Sequence, residues 1–366
     1  MKALKALGDK KAEIQDGLPI PKLRPDYMTI KTQAVGKASS SSLENFANKI
    51  KALNPTDWKH IGFVEKKCTV GCDYSGIVEE VGDKVNKKWK KGDRVFGFVH
   101  GSNILYEEDG CFGEYLTAKG DLQMRMPDNM SFEDAATLGV GIITVGQGLY
   151  QQMKLPYPDG SQGSANGEFL LIYGGSSATG MAGIQFAKLS GFTVIVTCSP
   201  RNFDLVKSFG ADHAFDYKSP TCAEDIRKLT DNKLRYVWDT ISEGTSPKIC
   251  ADAIGSDVKD AKYGTILSVK DFPRKDEVKV TFSLGYTMIG EDISFRGGQH
   301  IPAVKADFNF GVEFCAIAEK LLAEGKIKPP KKEVRDGGLE AIFGGLDDLK
   351  EGRVSGTKIV YRIGQE

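Results

Sequence analysis

Long apolar runs are missing from this chain. Nothing in its 366 residues approaches the roughly 18–20 apolar positions that cross a bilayer. An excess of charge of one sign is missing too. Forty-nine Lys and Arg balance 49 Asp and Glu, which leaves no electrostatic footprint for nucleic acid or an anionic membrane. The start, MKALKALGDKKAEIQDG, is too polar for a signal peptide. The seven cysteines (68, 72, 111, 198, 222, 250 and 315) show no pairing pattern and form no C-x-x-C, so they read as reduced thiols of a cytoplasmic protein. No internal repeat is present. At 40% hydrophobic and 27% charged the chain is ordinary globular protein, which excludes collagen, disorder and coiled coil. Its length implies about two domains.

The first third holds short apolar runs bounded by Gly, Asp or Lys: 74–81 (YSGIVEEV), 94–99 (RVFGFV) and 113–118 (GEYLTA). They predict a mostly-β domain. Ser131, followed by Glu133 and Asp134, caps a helix over FEDAATLGVGIITVGQGLYQQM. The Pro/Gly/Ser-rich stretch 155–168 is a surface loop. Strands then alternate with helices. Residues 169–173 (FLLIY), 193–197 (TVIVT), 214–217, 234–241 and 263–269 read as strands, and 181–190, 202–209 and 311–324 as helices. This alternation predicts a parallel sheet. The alternating 355–362 (SGTKIVYR) is a last strand that returns to the first domain. The polar stretch 36–49 (GKASSSSLENFANK) reads as a surface insertion. Domain edges are expected at 1–135, 136–315 and 316–366, the last part rejoining the first.

After the strand 169–173 comes GGSSATG, which opens a helix. That is the setting of a dinucleotide-binding turn. Gly174, Gly175 and Gly180 allow a tight turn and close backbone approach, and the helix N-terminus favours phosphate. Ser176, Ser177, Ala178 and Thr179 lie between them, with hydroxyls to add hydrogen bonds. A simple G-x-G-x-x-G is absent, and alone the motif is equally a structural turn. The second strand continues as TCSPRN. No Asp or Glu appears before Asp204 to hold a ribose 2′-hydroxyl, whereas Ser199, Arg201 and Asn202 suit a 2′-phosphate, with Tyr217 and Lys218 beside them. NADPH is therefore expected over NADH. The alternative is that Arg201 is a solvated loop residue.

The chain resembles the medium-chain dehydrogenase/reductases. The likeness rests on LNPTDWK (53–59), GCDYSGIVEEVG (71–82), GDRVFG (92–97), GCFGEY (110–115), the glycine turn and GRVSGTKIV (352–360). It implies an α/β protein: a GroES-like mostly-β catalytic domain plus a doubly wound parallel-sheet Rossmann domain. Zinc alcohol dehydrogenases of that superfamily have Cys where this chain has Asn54, and Gly-His-Glu where it has Gly71-Cys72-Asp73. Two ligand positions are thus altered and the four-cysteine lobe is absent, so no metal is expected. Buried thiols are the reading of Cys68 and Cys72.

YGGSSATG and TCSPRNFDLVKSFGADHAFDY are similar to fungal trans-acting enoyl reductases and related zinc-binding-dehydrogenase-like proteins. By that resemblance NADPH contacts fall on Pro55, Thr56, Asp57 and Trp58, on 176–179, and on Ser199, Pro200, Arg201 and Asn202. Tyr217, Ser268, Val269, Val354 and Ser355 complete them. The substrate region maps to 141–148 and 284–288.

The expected reaction is metal-independent hydride addition to the β-carbon of an α,β-unsaturated thioester or carbonyl. Lys59 is the candidate oxyanion donor or proton source, or else a surface lysine. Asp57 either orients Lys59 or caps its turn. Thr144 either approaches the nicotinamide or packs in its helix. Tyr74 donates a proton or packs in the β-domain. The Lys-rich stretch 84–94 is a solvated loop or a docking face for an acidic carrier. Quinone or ketone reduction is the alternative activity, and a non-catalytic nucleotide-binding protein the alternative class. An acyl carrier or polyketide synthase is the possible partner, and monomer or homodimer the expected state.

Overall fold

The computed structural model describes residues 1–32 and 49–363, which fall into two compact units. One unit comprises Met1–Val140, Tyr286–Ala323 and Lys328–Glu366, and the other Gly141–Gly285 with Glu324–Ile327. The insertion expected at 36–49 lies outside the described residues, except for Lys49. The sequence put the return to the first domain at 316, whereas the chain rejoins the first unit at Tyr286. The helix Lys305–Ala323 therefore counts with that unit. Its Glu319 pairs with Lys87 and accepts the Arg125 N–H, and its Gly311 lies close against Leu122 and Met288.

The main sheet of the first unit runs Lys332–Arg335, Lys358–Ile363, Lys49–Ala52, Asp73–Val81, Tyr27–Lys31, Tyr115–Lys119. Arg94–Phe98 pairs with Asp73–Val81 and with Met124–Arg125. A separate sheet joins Lys11–Gln15, Ala3–Gly8 and Cys68–Thr69. The last strand pairs antiparallel with Lys49–Ala52, with Val360 opposite Ala52. Leu4, Met28, Ile30, Tyr74, Phe112 and Ile359 lie in the core between these layers, where apolar burial drives their packing.

Ser131 caps a helix as the sequence implied, its hydroxyl accepting the Asp134 N–H at 3.1 Å. That helix does not run on unbroken. It stops at Ala135, resumes as Gly139–Val145, and widens into a π-helical Gly146–Gln152. At the break the Val140 N–H, one of the unpaired donors of the resumed helix, goes to Asp73 Oδ1 (2.6 Å), and the Thr137 carbonyl accepts from Lys358 Nζ (3.2 Å), so side chains satisfy the backbone there.

The second unit is a six-stranded parallel sheet. Its order is His213–Asp216, Thr193–Cys198, Phe169–Tyr173, Tyr236–Asp239, Lys262–Thr265, Lys279–Phe282. Numbered along the chain this is 3-2-1-4-5-6, with the switch point between Phe169–Tyr173 and Tyr236–Asp239, where such sheets bind ligands. The expected strand 263–269 ends early at Thr265, and the sixth strand was not foreseen. Leu170, Leu171, Ile172, Val194, Ile195 and Val196 are fully buried, as parallel strands require.

The helix Ala178–Leu189 comes close to buried Trp238. A Cβ at Gly183 would sit 2.5 Å from Trp238 Cζ3. Helix propensity favours Ala over Gly by about 1 kcal/mol, but overpacking a rigid core costs about 1–3 kcal/mol. Gly183→Ala is thus expected to lower the unfolding free energy by up to about 2 kcal/mol. Denaturant titration checks this, and a stabilised variant would mean that Trp238 yields.

Candidate active site

Lys358 and Asp73 form a buried ion pair in the first unit, 3% and 0% exposed at their side chains. Lys358 Nζ also donates to Asn54 Oδ1 at 3.0 Å and to the Thr137 carbonyl. Asp73 Oδ2 further accepts Asn54 Nδ2 at 3.0 Å. Asn54 precedes the helix Pro55–Phe63, so its side chain ties the start of that helix to the pair. This cluster includes Asn54, one of the altered ligand positions, and Asp73, the neighbour of the other, Cys72. Among the described residues no three His, Cys, Asp or Glu side chains form a metal-holding group.

Asp57, 1% exposed, accepts the Asn54 backbone N–H at 2.7 Å through Oδ2, which makes it the cap of its own turn. Its Oδ1 is buried with no hydrogen-bond partner among the described residues. Burial pushes this carboxyl up to about 7. The Asp73 charge adds to the rise, while the Asn54 N–H, Lys358 and Cys72 oppose it. Lys59, two residues on, is half-buried, with Nζ 5.8 Å from the Trp58 ring centroid.

A second chain of groups runs along the same helix. Thr56 Oγ1 lies 2.9 Å from the Tyr286 hydroxyl and 3.3 Å from His60 Nε2, and His60 Nδ1 lies 3.1 Å from the Gly101 carbonyl. Burial lowers the His60 pKa to about 4, so the ring is neutral near pH 7. A carbonyl only accepts, so Nδ1 carries the proton and Nε2 accepts from Thr56. Thr56 then accepts from Tyr286. Cys72 Sγ, 3.6 Å from the Tyr286 oxygen, is left as a thiol donor, its pKa raised well above the ordinary value by burial. His100 stacks on Tyr286 at 4.2 Å, and burial lowers its pKa to about 3. The histidines and Tyr286 were not read as a group in the sequence, because their positions (60, 100 and 286) give no spacing signal. Tyr74 packs: it is fully buried and donates to Gln123 Oε1 at 2.8 Å.

The glycine turn lies in the second unit. Gly174 adopts φ +83°, open to glycine and strained for other residues. At Gly180 a Cβ would lie 2.3 Å from the Gly174 carbonyl, so only glycine lets helix and turn meet. The Thr197 carbonyl takes the N–H groups of Gly174 (3.1 Å) and Gly175 (3.0 Å). Ser177 Oγ accepts the Gly180 N–H at 2.9 Å. The N–H groups of Ser176, Ala178 and Thr179 and the hydroxyls of Ser176 and Thr179 carry no hydrogen bond among the described residues. Five donors are therefore ready for an anion at a helix N-terminus. The turn fits a pyrophosphate, with a narrower set of groups than the sequence alone implied.

The second strand ends at Cys198 with no carboxylate in it, and Ser199, Pro200, Arg201 and Asn202 follow. Arg201 is exposed and Tyr217 half-buried, its ring 6.2 Å from that of Tyr173. Thr144 lies half-buried on Gly139–Val145, and Ser268 and Val269 follow the fifth strand. These residues belong to the second unit, whereas Pro55, Trp58, Val354 and Ser355 belong to the first. The lysine-rich stretch is an anchored loop, with Asp121 accepting the N–H groups of Asn86 and Lys87 (both 2.8 Å). Lys87 is paired with Glu319, and Lys88 and Lys90 are exposed.

Two family models match: an alcohol dehydrogenase GroES-like domain over 47–128 and a zinc-binding dehydrogenase over 178–258. With the parallel sheet they define a medium-chain dehydrogenase/reductase, an oxidoreductase class. The trans-enoyl reductase ACTTS2 of Alternaria alternata is 47% identical over 96% of this chain and 96% of its own. The trans-enoyl reductase resD of Aspergillus sclerotiorum is 42% identical over 99% of this chain and 100% of its own. The chain belongs to the trans-enoyl reductase family. Among solved structures the CurK enoyl reductase has a TM-score of 0.74 at 17% identity, covering 99% of both chains. The quinone oxidoreductase of Coxiella burnetii has a TM-score of 0.70 at 23% identity, covering 100% of this chain and 99% of its own. Both are likenesses of fold.

Removing the ammonium with Lys358→Met leaves the Asp73 carboxylate buried without its cation, at a cost of about 3–5 kcal/mol. Denaturant unfolding measures this, and a loss under about 1 kcal/mol would contradict the pairing. For Asp57 the folded pKa near 7 exceeds the ordinary 3.8. Between those values the folded state holds the proton more tightly, so its contribution to stability is present in acid and fades as pH rises through about 7. Wild type should lose stability relative to Asp57→Asn between about pH 4 and 7, in unfolding curves measured across that range. A difference that stays constant with pH would contradict the raised pKa.

Proposed function

We propose that this protein is an NADPH-dependent, metal-independent enoyl reductase acting on α,β-unsaturated thioesters or carbonyls. The observation that carries the reading is the five-donor turn at the helix N-terminus, in a chain of the trans-enoyl reductase family. NADPH, when bound, supplies the hydride that adds to the β-carbon. Ser176, Thr179 and the N–H groups of Ser176, Ala178 and Thr179 would hold the pyrophosphate, and Ser199, Arg201 and Asn202 the 2′-phosphate. Negative charge then develops on the substrate carbonyl oxygen, which needs a donor. Lys59 takes that role. Asp57 caps the turn of the helix that carries Lys59, and burial raises its pKa to about 7. Thr144 is the third candidate, on the second unit.

The thioester reading extends to an acyl carrier of a polyketide synthase as partner, with exposed Lys88 and Lys90 as contact candidates. Domain limits are proposed at the unit edges, and the oligomeric state as monomer or homodimer. Among the described residues no helix is long and apolar enough to cross a membrane. The seven free, buried cysteines suit a reducing compartment, and the cytoplasm is the proposed location.

The test is NADPH oxidation with a short enoyl thioester under chelation, beside a quinone, a ketone and NADH. Turnover of the thioester with NADPH is expected. Turnover of quinone or ketone alone would replace the reading, and loss of activity on chelation would remove its metal-independence. Arg201→Ala is expected to raise KM for NADPH about 10–100-fold, the range of one charged hydrogen bond, and to leave NADH unchanged. An equal effect on both would make Arg201 a solvated residue.

A further inference from the structure

We propose that Thr240 is a positioning residue for the dinucleotide, holding the glycine turn so that Ser176 and Thr179, and not Ser177, face the phosphates. The inference rests on the reading of the second unit as a nicotinamide-dinucleotide site. Thr240 follows the strand Tyr236–Asp239, on the far side of the switch point from the turn it touches. It is 4% exposed.

The direction of each hydrogen bond there is forced. Thr240 Oγ1 lies 2.8 Å from the Tyr173 carbonyl and 3.3 Å from the Gly174 carbonyl, both acceptors only, so its single proton is engaged by the backbone. Ser177 Oγ lies 3.2 Å from Thr240 Oγ1. With the Thr240 proton engaged, Ser177 must be the donor. Ser177 Oγ meanwhile accepts the Gly180 N–H. Its proton and its capping lone pair are both in use inside the protein, so no hydrogen is left for a phosphate oxygen. Gly174 is held at the same place, since a Cβ there would meet Thr240 Oγ1 at 2.7 Å.

Thr240 is itself seated by its neighbour. Asp239 Oδ1 accepts the N–H groups of Ile241 (2.9 Å) and Ser242 (2.8 Å), and Oδ2 accepts the hydroxyls of Ser246 (2.6 Å) and Tyr263 (2.8 Å). A fully satisfied buried carboxylate fixes the start of the 240–246 loop, and Thr240 carries that rigidity to the turn. The arrangement sets the turn before any ligand arrives, which is how preorganisation raises affinity.

The experiment measures Kd for NADPH and for ADP by calorimetry on wild type, Thr240→Val and Thr240→Ser, together with kcat at saturating NADPH. Valine keeps the branched shape and removes the hydroxyl, and serine restores the hydroxyl. Thr240→Val is expected to weaken NADPH and ADP alike by about tenfold with kcat within twofold of wild type, the scale of one net hydrogen bond. Thr240→Ser should recover most of that affinity. Wild-type affinity in Thr240→Val would overturn the inference, as would a serine variant no tighter than the valine one. If wild type itself binds neither NADPH nor NADH, the dinucleotide reading fails and the inference falls with it, an outcome distinct from a defect confined to the variant.

Discussion

A lysine and an aspartate buried together inside the first unit set most of what surrounds them. Isolated, either charge would be costly in that interior, and the pair is tolerable only if its remaining hydrogen-bonding capacity is met. Asn54, the Thr137 carbonyl and the Val140 N–H meet it. Meeting it ties to the pair both Asn54, the cap of the helix that carries Asp57 and Lys59, and the stretch Thr137–Val140 where the helix capped by Ser131 is interrupted. Because Lys358 rides on the strand Lys358–Ile363, that corner is not fixed until this strand has joined the sheet. The local geometry of the candidate catalytic residues thus depends on a contact spanning most of the sequence.

The same pair bears on the positions at which zinc alcohol dehydrogenases hold their metal. Here Asn54 and Asp73 are engaged by an ammonium, and Cys72 is a buried thiol beside Tyr286. A thiol must lose its proton to bind a metal, and burial opposes that loss.

Local signals were legible in the sequence: the Ser131 cap, the buried parallel strands, the glycine turn and the last strand that rejoins the first sheet. What was illegible depended on distant partners. At the break after Ala135 the backbone bonds to Lys358 and Asp73, partners that local periodicity does not contain. The strands Lys279–Phe282 and Lys332–Arg335 are four-residue sheet edges: KVTF alternates but exposes Val280 and Phe282 and buries Thr281, and KEVR has a single apolar residue, so neither carries the buried apolar run by which the central parallel strands are recognised. Asp57 was read as either an orienter or a cap; the hydrogen bond from the Asn54 N–H makes it a cap, and nothing in the sequence pointed to its Oδ1 lying buried with no hydrogen-bond partner among the described residues. Ser177 counted as a phosphate donor because its residue type fits, and only the hydroxyl of Thr240 shows where its proton goes.

In the proposed function NADPH gives its hydride to the β-carbon of an enoyl substrate without a metal, and the fate of a label tests this. The measurement is mass spectrometry and proton NMR of the product formed from a short enoyl thioester and C4-deuterated NADPH, with a chelator present. Deuterium at the β-carbon, with a solvent proton at the α-carbon, is the predicted result. Deuterium on the carbonyl carbon, or no transfer once metals are chelated, would contradict it.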